Sequence, residues 1–128
     1  VAALLKAGAK VAIGTDGAAS NNDLDLLGET KTAALLAKAV AMDAAALSAA
    51  EALEAATLSG ARSLGMDETI GSLEVGKWAD VCAIDFSGLH LAPVFNPISH
   101  IVYAASRRDI SDVWVAGRER VRAGVVLG

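Results

Sequence analysis

Apolar residues along this chain keep two rhythms. Up to about residue 66 they mostly return every three or four positions, and beyond about residue 76 they alternate or run together. Val1 to Lys6 reads as the end of a helix, with Gly8 as its C-terminal stop. Val11 to Gly14 is a short apolar run, compatible with a strand buried on both faces. A helix feeding such a strand through a short turn is an αβ unit of a parallel sheet. A polar loop follows, then a helix from about Asp25 to Met42, in which Leu27, Ala34, Leu35, Ala39 and Met42 recur at helical spacing. Ser48 and Glu51 form a Ser-x-x-Glu capping box, which predicts a further helix from there to about Leu58. Gly60 opens a shorter one, GARSLG, that Gly65 can close.

Past Ile70 the pattern changes. Gly71 and Gly76 punctuate IGSLEVGKWADVCAID, and a strand is predicted over Asp80 to Asp85. SHIVYAAS and ISDVWVAGRERVRAG read as strand-like runs, with Gly117 at the tip of a hairpin between Val113–Val115 and Glu119–Arg122. Trp78 and Trp114 read as packing residues. A boundary between Met66 and Gly76 would divide an α/β part, 1–70, from an all-β part, 71–128.

Composition narrows the partners. Hydrophobic residues are 54% of the 128 and aromatics only 4%, which favours packed helices and buried strands over a surface for stacking bases. The net charge of −4 leaves no electrostatic footprint for nucleic acid, and Arg118, Arg120 and Arg122 alternate with other residues as the wet face of a strand would. The single cysteine, Cys82, cannot form an internal disulfide and suits a reducing compartment. No run of roughly 18 apolar residues predicts a membrane span and no secretory signal is visible, so the cytoplasm is expected. The chain begins with Val, mid-pattern, and reads as lacking an N-terminal part.

The candidate chemistry gathers in GTDGAASNNDLDLLGE, residues 14–29. Asp16 stands at the carboxyl end of the predicted strand, where parallel α/β folds collect their ligands. A carboxylate there can ligate a metal or take a proton, but Asp before Gly is equally a turn former and helix cap. The segment is not a calcium loop, for it lacks the central glycine and the closing Glu. It is not a phosphate loop, having no Lys-Ser/Thr ending. His90 and His100 are the only histidines, without His-x-His or His-Glu-x-x-His, so the roughly three protein ligands of a catalytic zinc are not evident. Both read as surface or hydrogen-bonded loop residues, and Cys82 as an inert strand cysteine.

GTDGAASNNDLDLLGETKTAALLAK, followed in order by GARSLG, IGSLEVGKWADVCAID, NPISHIVYAAS and VWVAGRERVRAG, resembles the C-terminal part of the metal-dependent amidohydrolase superfamily. The resemblance is closest to the branch containing 5-methylthioadenosine/S-adenosylhomocysteine deaminases, with guanine and cytosine deaminases and triazine hydrolases as relatives. It implies a (β/α)8 TIM barrel with a small composite β-sandwich: residues 1–70 as the end of the barrel, Val11 to Gly14 as its eighth strand, and 71–128 as sandwich strands.

The resemblance also implies roles. Asp16 matches the aspartate that binds the metal, zinc or another divalent ion, and helps activate the attacking water. Gly17 and the loop to Asn22 would line the pocket. Ser20 would face the substrate or leaving group, with a helix-entry cap as its other reading. The implied reaction is hydrolytic deamination of a purine nucleoside. Guanine or cytosine deamination, triazine-type hydrolysis, or a non-catalytic truncated fragment acting as a binding module are the alternatives. The remaining metal ligands and the catalytic Glu of that family have no match in this chain, so its first expected partner is the missing N-terminal part of the same enzyme. A barrel takes about 250 residues, and 128 residues alone should leave the 11–14 strand without a neighbour on at least one side, Asp16 open, and enough apolar surface bare to drive association into a homo-oligomer.

Overall fold

A computed structural model describes residues 1–128. Five helices and four strands follow in order: α1 Ala2–Lys6, α2 Leu26–Ala41, α3 Ala49–Ala56, α4 Leu58–Ser63, β1 Val81–Ile84, α5 Pro97–Tyr103, β2 Ile110–Val115, β3 Arg118–Arg122 and β4 Val125–Val126. The helix signals in the sequence do what their chemistry predicts. Asp25 caps α2, its side chain accepting from Gly28 N at 3.1 Å. Met42 closes the helix in the left-handed region, φ 50°. The Ser48–Glu51 capping box forms, with Ser48 N donating to Glu51 Oε2 at 2.7 Å.

Helices α2, α3 and α5 enclose the core, which is built from Ala34, Ala37, Leu47, Ala52 and Val102. Alanine at three of these positions lets the helix backbones approach closely. Lys38 locks the turn between α2 and α3 by donating from Nζ to Ala46 O and Leu47 O, both at 2.7 Å.

α5 corrects the sequence reading. SHIVYAAS is a helix, not a strand-like run, and its buried Val102 joins the core of the N-terminal helices. The part beyond residue 70 is therefore not all-β. Its helix start was written as Asn-Pro: Asn96 accepts from Ser99 N at 3.0 Å, and Pro97 takes the first helical position, where its missing N–H costs nothing. Apolar burial against α2 and α3 then outweighs the β-preference of Ile101, Val102 and Tyr103.

The four strands form one antiparallel sheet in the order β1-β2-β3-β4. Val81 lies opposite Trp114 and Cys82 opposite Val113. The β2–β3 hairpin turns at Ala116 and Gly117, both with positive φ, as a tight two-residue turn requires. Arg118, Arg120 and Arg122 are exposed along β3 while Glu119 and Val121 are half-buried, so the arginines form the wet face. Trp114 is half-buried, whereas Trp78 is 53% exposed and lies outside the core.

Residues 11–14 form no strand. Their only backbone hydrogen bond runs from Ile13 N to Ala55 O at 3.0 Å, and no ladder flanks them on either side. Only 10 of the 128 residues are buried, and the accessible surface is 8343 Å². A compact protein of 12.9 kDa exposes about 6,300 Å². Large apolar side chains contribute to the excess: Leu35, Leu36 and Val40 on α2, Met42 at its C-cap, and Leu89, Val94, Phe95 and Ile98 before and within α5 are all open to solvent.

Candidate functional site

The loop from Gly14 to Asp25 joins the extended 11–14 segment to α2 and carries the residues singled out by the sequence. Asp16 is exposed at its start with φ 60°, a left-handed conformation that Asp tolerates better than most residues. Both carboxylate oxygens are engaged. Gly17 N donates to Oδ1 at 2.7 Å and Ser20 Oγ donates to Oδ2 at 2.7 Å. These donors, Ser20 first and Gly17 second, hold the Asp16 carboxyl below the usual carboxylate range. Ser20 Oγ also lies 3.1 Å from Gly17 O, but a hydroxyl has one proton, and the shorter, charge-assisted bond to Asp16 takes it.

The structure thus brings Asp16, Gly17 and Ser20 into one hydrogen-bonded turn. Ser20 is not the helix-entry cap, since Asp25 holds that position. Asn21 stiffens the middle of the loop: its Oδ1 accepts from Asp23 N at 3.0 Å and its Nδ2 donates to Glu29 Oε1 at 2.8 Å.

The two histidines lie elsewhere. His90 Nε2 is 3.0 Å from Asp109 Oδ1, and His100 Nδ1 lies 3.0 Å from Asn96 O with its ring edge-on to Phe86. Cys82 is exposed on β1, and partial desolvation pushes its thiol above the ordinary range, the opposite of an activated thiolate. No three His, Cys, Asp or Glu side chains converge on a point that could hold a metal ion. Asp16 can serve as one oxygen donor to a divalent ion, and residues 1–128 supply no cluster of three such side chains around it.

One feature of the loop had no signal in the sequence. Arg107, 84 residues beyond Asp23, places Nη1 3.0 Å from Asp23 O and in contact with Asp23 Oδ1. No spacing rule relates residues so far apart.

Residues 1–120 match the amidohydrolase family. The chain is 52% identical over 122 residues, 95% of its length, to a 5-methylthioadenosine/S-adenosylhomocysteine deaminase of Teredinibacter turnerae. It is 49% identical over 127 residues to the protein of the same name from Desulforudis audaxviator. Among solved structures, an adenosine deaminase from Xanthomonas campestris with bound zinc superposes at a TM-score of 0.95 with 52% identity over 98% of this chain. A zinc-complexed atrazine chlorohydrolase from Arthrobacter aurescens gives 0.89 with 31% identity, again over 98%. The chain spans 28% and 30% of the two deaminases and 29% and 28% of the two solved chains.

Proposed function

The chain belongs to the amidohydrolase family, and from that premise we propose that it is the C-terminal portion of a zinc-dependent enzyme that hydrolytically deaminates a purine nucleoside of the 5-methylthioadenosine/S-adenosylhomocysteine type. The observation that carries the reading is Asp16: an open carboxylate with both oxygens oriented by its own loop, in a chain about half identical to deaminases of that name. Residues 1–70 are the end of the barrel and 71–128 contribute to the composite sandwich, with α5 returning from the second part to the helical layer of the first. The surface left bare on α2 and before α5, and the unpaired 11–14 segment, are where the rest of the enzyme covers this portion. A homo-oligomer then buries what remains. No helix is long and apolar enough to cross a membrane, and the enzyme works in the cytoplasm.

The donor chemistry of Asp16 fits a divalent ion as one ligand among several, the others coming from outside residues 1–128. A zinc ion, when bound, would supply one thing, lowering the pKa of a coordinated water toward about 7. Asp16 performs the proton work. Its carboxylate is ionised at neutral pH as any ordinary aspartate is, Ser20 and Gly17 fix its orientation, and it accepts the proton of the water that attacks the ring carbon bearing the amino group. An acid outside residues 1–128 protonates the ring nitrogen, Asp16 hands the proton it took to the amino nitrogen, the C–N bond breaks and ammonia leaves, and the hydroxyl proton left on the product oxygen restores the acid. Asn could ligate in this place but could not take the proton. Gly17 and the loop to Asn22 line the pocket, and Ser20 orients the carboxylate beside the leaving group.

The test is a substrate panel on the full-length enzyme, following ammonia release from 5-methylthioadenosine, S-adenosylhomocysteine, adenosine, guanine, cytosine and an aminotriazine. Preferential turnover of the thioether nucleosides is expected. Turnover confined to guanine, cytosine or the triazine would replace the substrate assignment. No turnover of any, in a zinc-loaded folded enzyme, would favour a binding role.

A further inference from the structure

We propose that Arg107 is a positioning residue for the reaction: by binding Asp23 it ties the Asp16 loop to the base of the sheet and holds the carboxylate in its working place. The proposal rests on the deaminase reading above. The loop from Gly14 to Asp25 is otherwise self-contained. Its hydrogen bonds run within itself or to the first turns of α2: Gly17 to Asp16, Ser20 to Asp16, Asp23 to Asn21, Asn21 to Glu29 and Gly28 to Asp25. Internal bonds fix the shape of the turn but not its position. Arg107 alone reaches in from a distant segment, and one guanidinium nitrogen engages both the backbone carbonyl and the carboxylate of Asp23.

The anchor end is braced. Arg107 opens a short helical turn, Arg107–Asp109, just before β2. Asp109 Oδ2 accepts from Ser106 N at 2.7 Å and from Ser106 Oγ at 3.0 Å, and Asp109 Oδ1 meets His90. Asp109 O accepts from Asp85 N at 2.8 Å, which joins the turn to the end of β1. The tie therefore runs from a sheet-bound turn to the loop, and displacement of the loop must break a charged pair. Both side chains are more than half exposed, so the pair adds little to global stability. Its effect falls on where the loop sits, and small misplacement of a reacting group is costly in rate.

The experiment uses the full-length, zinc-loaded enzyme with Arg107→Ala, Arg107→Lys, Asp23→Ala and the Arg107→Ala/Asp23→Ala double variant. Arg107→Ala is expected to lower kcat by about fivefold, the factor an exposed charged tie can be worth, with the thermal midpoint unchanged. Lysine, which keeps one donor on a long stem, recovers part of the loss. The double variant is no worse than Arg107→Ala, because both remove the same tie. Amide exchange supplies a readout independent of turnover: residues 17–24 exchange faster in Arg107→Ala while α3 and the β2–β3 hairpin do not change. Unchanged kcat and unchanged exchange in Arg107→Ala would overturn the proposal, as would fully additive losses. If the wild-type enzyme deaminates nothing while exchange at 17–24 still responds to Arg107→Ala, the deaminase reading fails and the tie stands as a loop anchor alone.

Discussion

Replacing Asp16 by Asn in the full-length enzyme isolates its charge from its shape. The two hydrogen bonds of the carboxylate both have a counterpart in the amide. The remaining carbonyl oxygen can accept from Gly17 N, now 2.7 Å from Oδ1, and the new amide N–H group can donate to Ser20 Oγ, now 2.7 Å from Oδ2. The Ser20 proton, released from the carboxylate, turns to Gly17 O at 3.1 Å. Asn also tolerates the left-handed φ of 60° as Asp does. Both side-chain contacts within the loop keep a partner, so at equal zinc content the thermal midpoint should stay within about 2 °C. What disappears is the negative charge and the capacity to take a proton. General-base transfer contributes about 10²- to 10⁴-fold, and kcat should fall by at least that factor, with weaker zinc retention adding to it. The assay is ammonia release at saturating substrate, beside zinc content and thermal unfolding of the same preparation. Asp16→Ala is the contrast: it loses both hydrogen bonds and leaves a residue poorly suited to positive φ, so loop order falls along with activity. A folded, zinc-loaded Asp16→Asn enzyme within about threefold of wild-type turnover would refute the reasoning and leave Asp16 as a turn former.

Three further outcomes are expected. Residues 1–128 alone should show no deamination and bind zinc weakly, and should self-associate in sedimentation analysis, since they expose 8343 Å² where about 6,300 Å² is normal; turnover with zinc supplied, or a compact monomer that binds no hydrophobic dye, would contradict this. Val102→Ala should destabilise the enzyme by about 2–3 kcal/mol in denaturant unfolding, from two lost methyl groups plus a void that neighbouring alanines cannot fill; a cost below about 0.5 kcal/mol would count against α5 as a core helix. Asp109 is held below the usual carboxylate range chiefly by Ser106 N–H, with His90 and the Ser106 hydroxyl adding to it. A depressed folded pKa stabilises above the unfolded value of about 3.9 and is lost as pH falls through the folded one, so Asp109→Asn should flatten the acid limb of the stability profile below about pH 4, and an unchanged limb would remove Asp109 from that role.

The division between what sequence and structure each decided follows contact range. The helix ends at Asp25, Ser48 and Gly65, the hairpin at Gly117 and the wet arginines of β3 were legible, because each depends on groups within about four residues of one another. The Ser20–Asp16 bond is equally local, four residues apart, yet the sequence reading placed Ser20 against the substrate or as a helix cap, because a short hydroxyl in a polar loop can serve any of these partners. The α5 start, Asn96-Pro97, is also a local signal that the strand-like reading of SHIVYAAS left unused, and what decides the matter is burial against Ala34, Ala37 and Ala52, far away in the chain. Residues 11–14 show the converse. Their apolar run is strand-like, but a strand exists only with a partner to take its N–H and C=O groups, and no segment of these 128 residues provides one. The meeting of Arg107 with Asp23 was beyond any periodicity, since two charged surface residues 84 positions apart meet only because α5 folds back on α2 and α3 and brings the start of β2 beside the Asp16 loop.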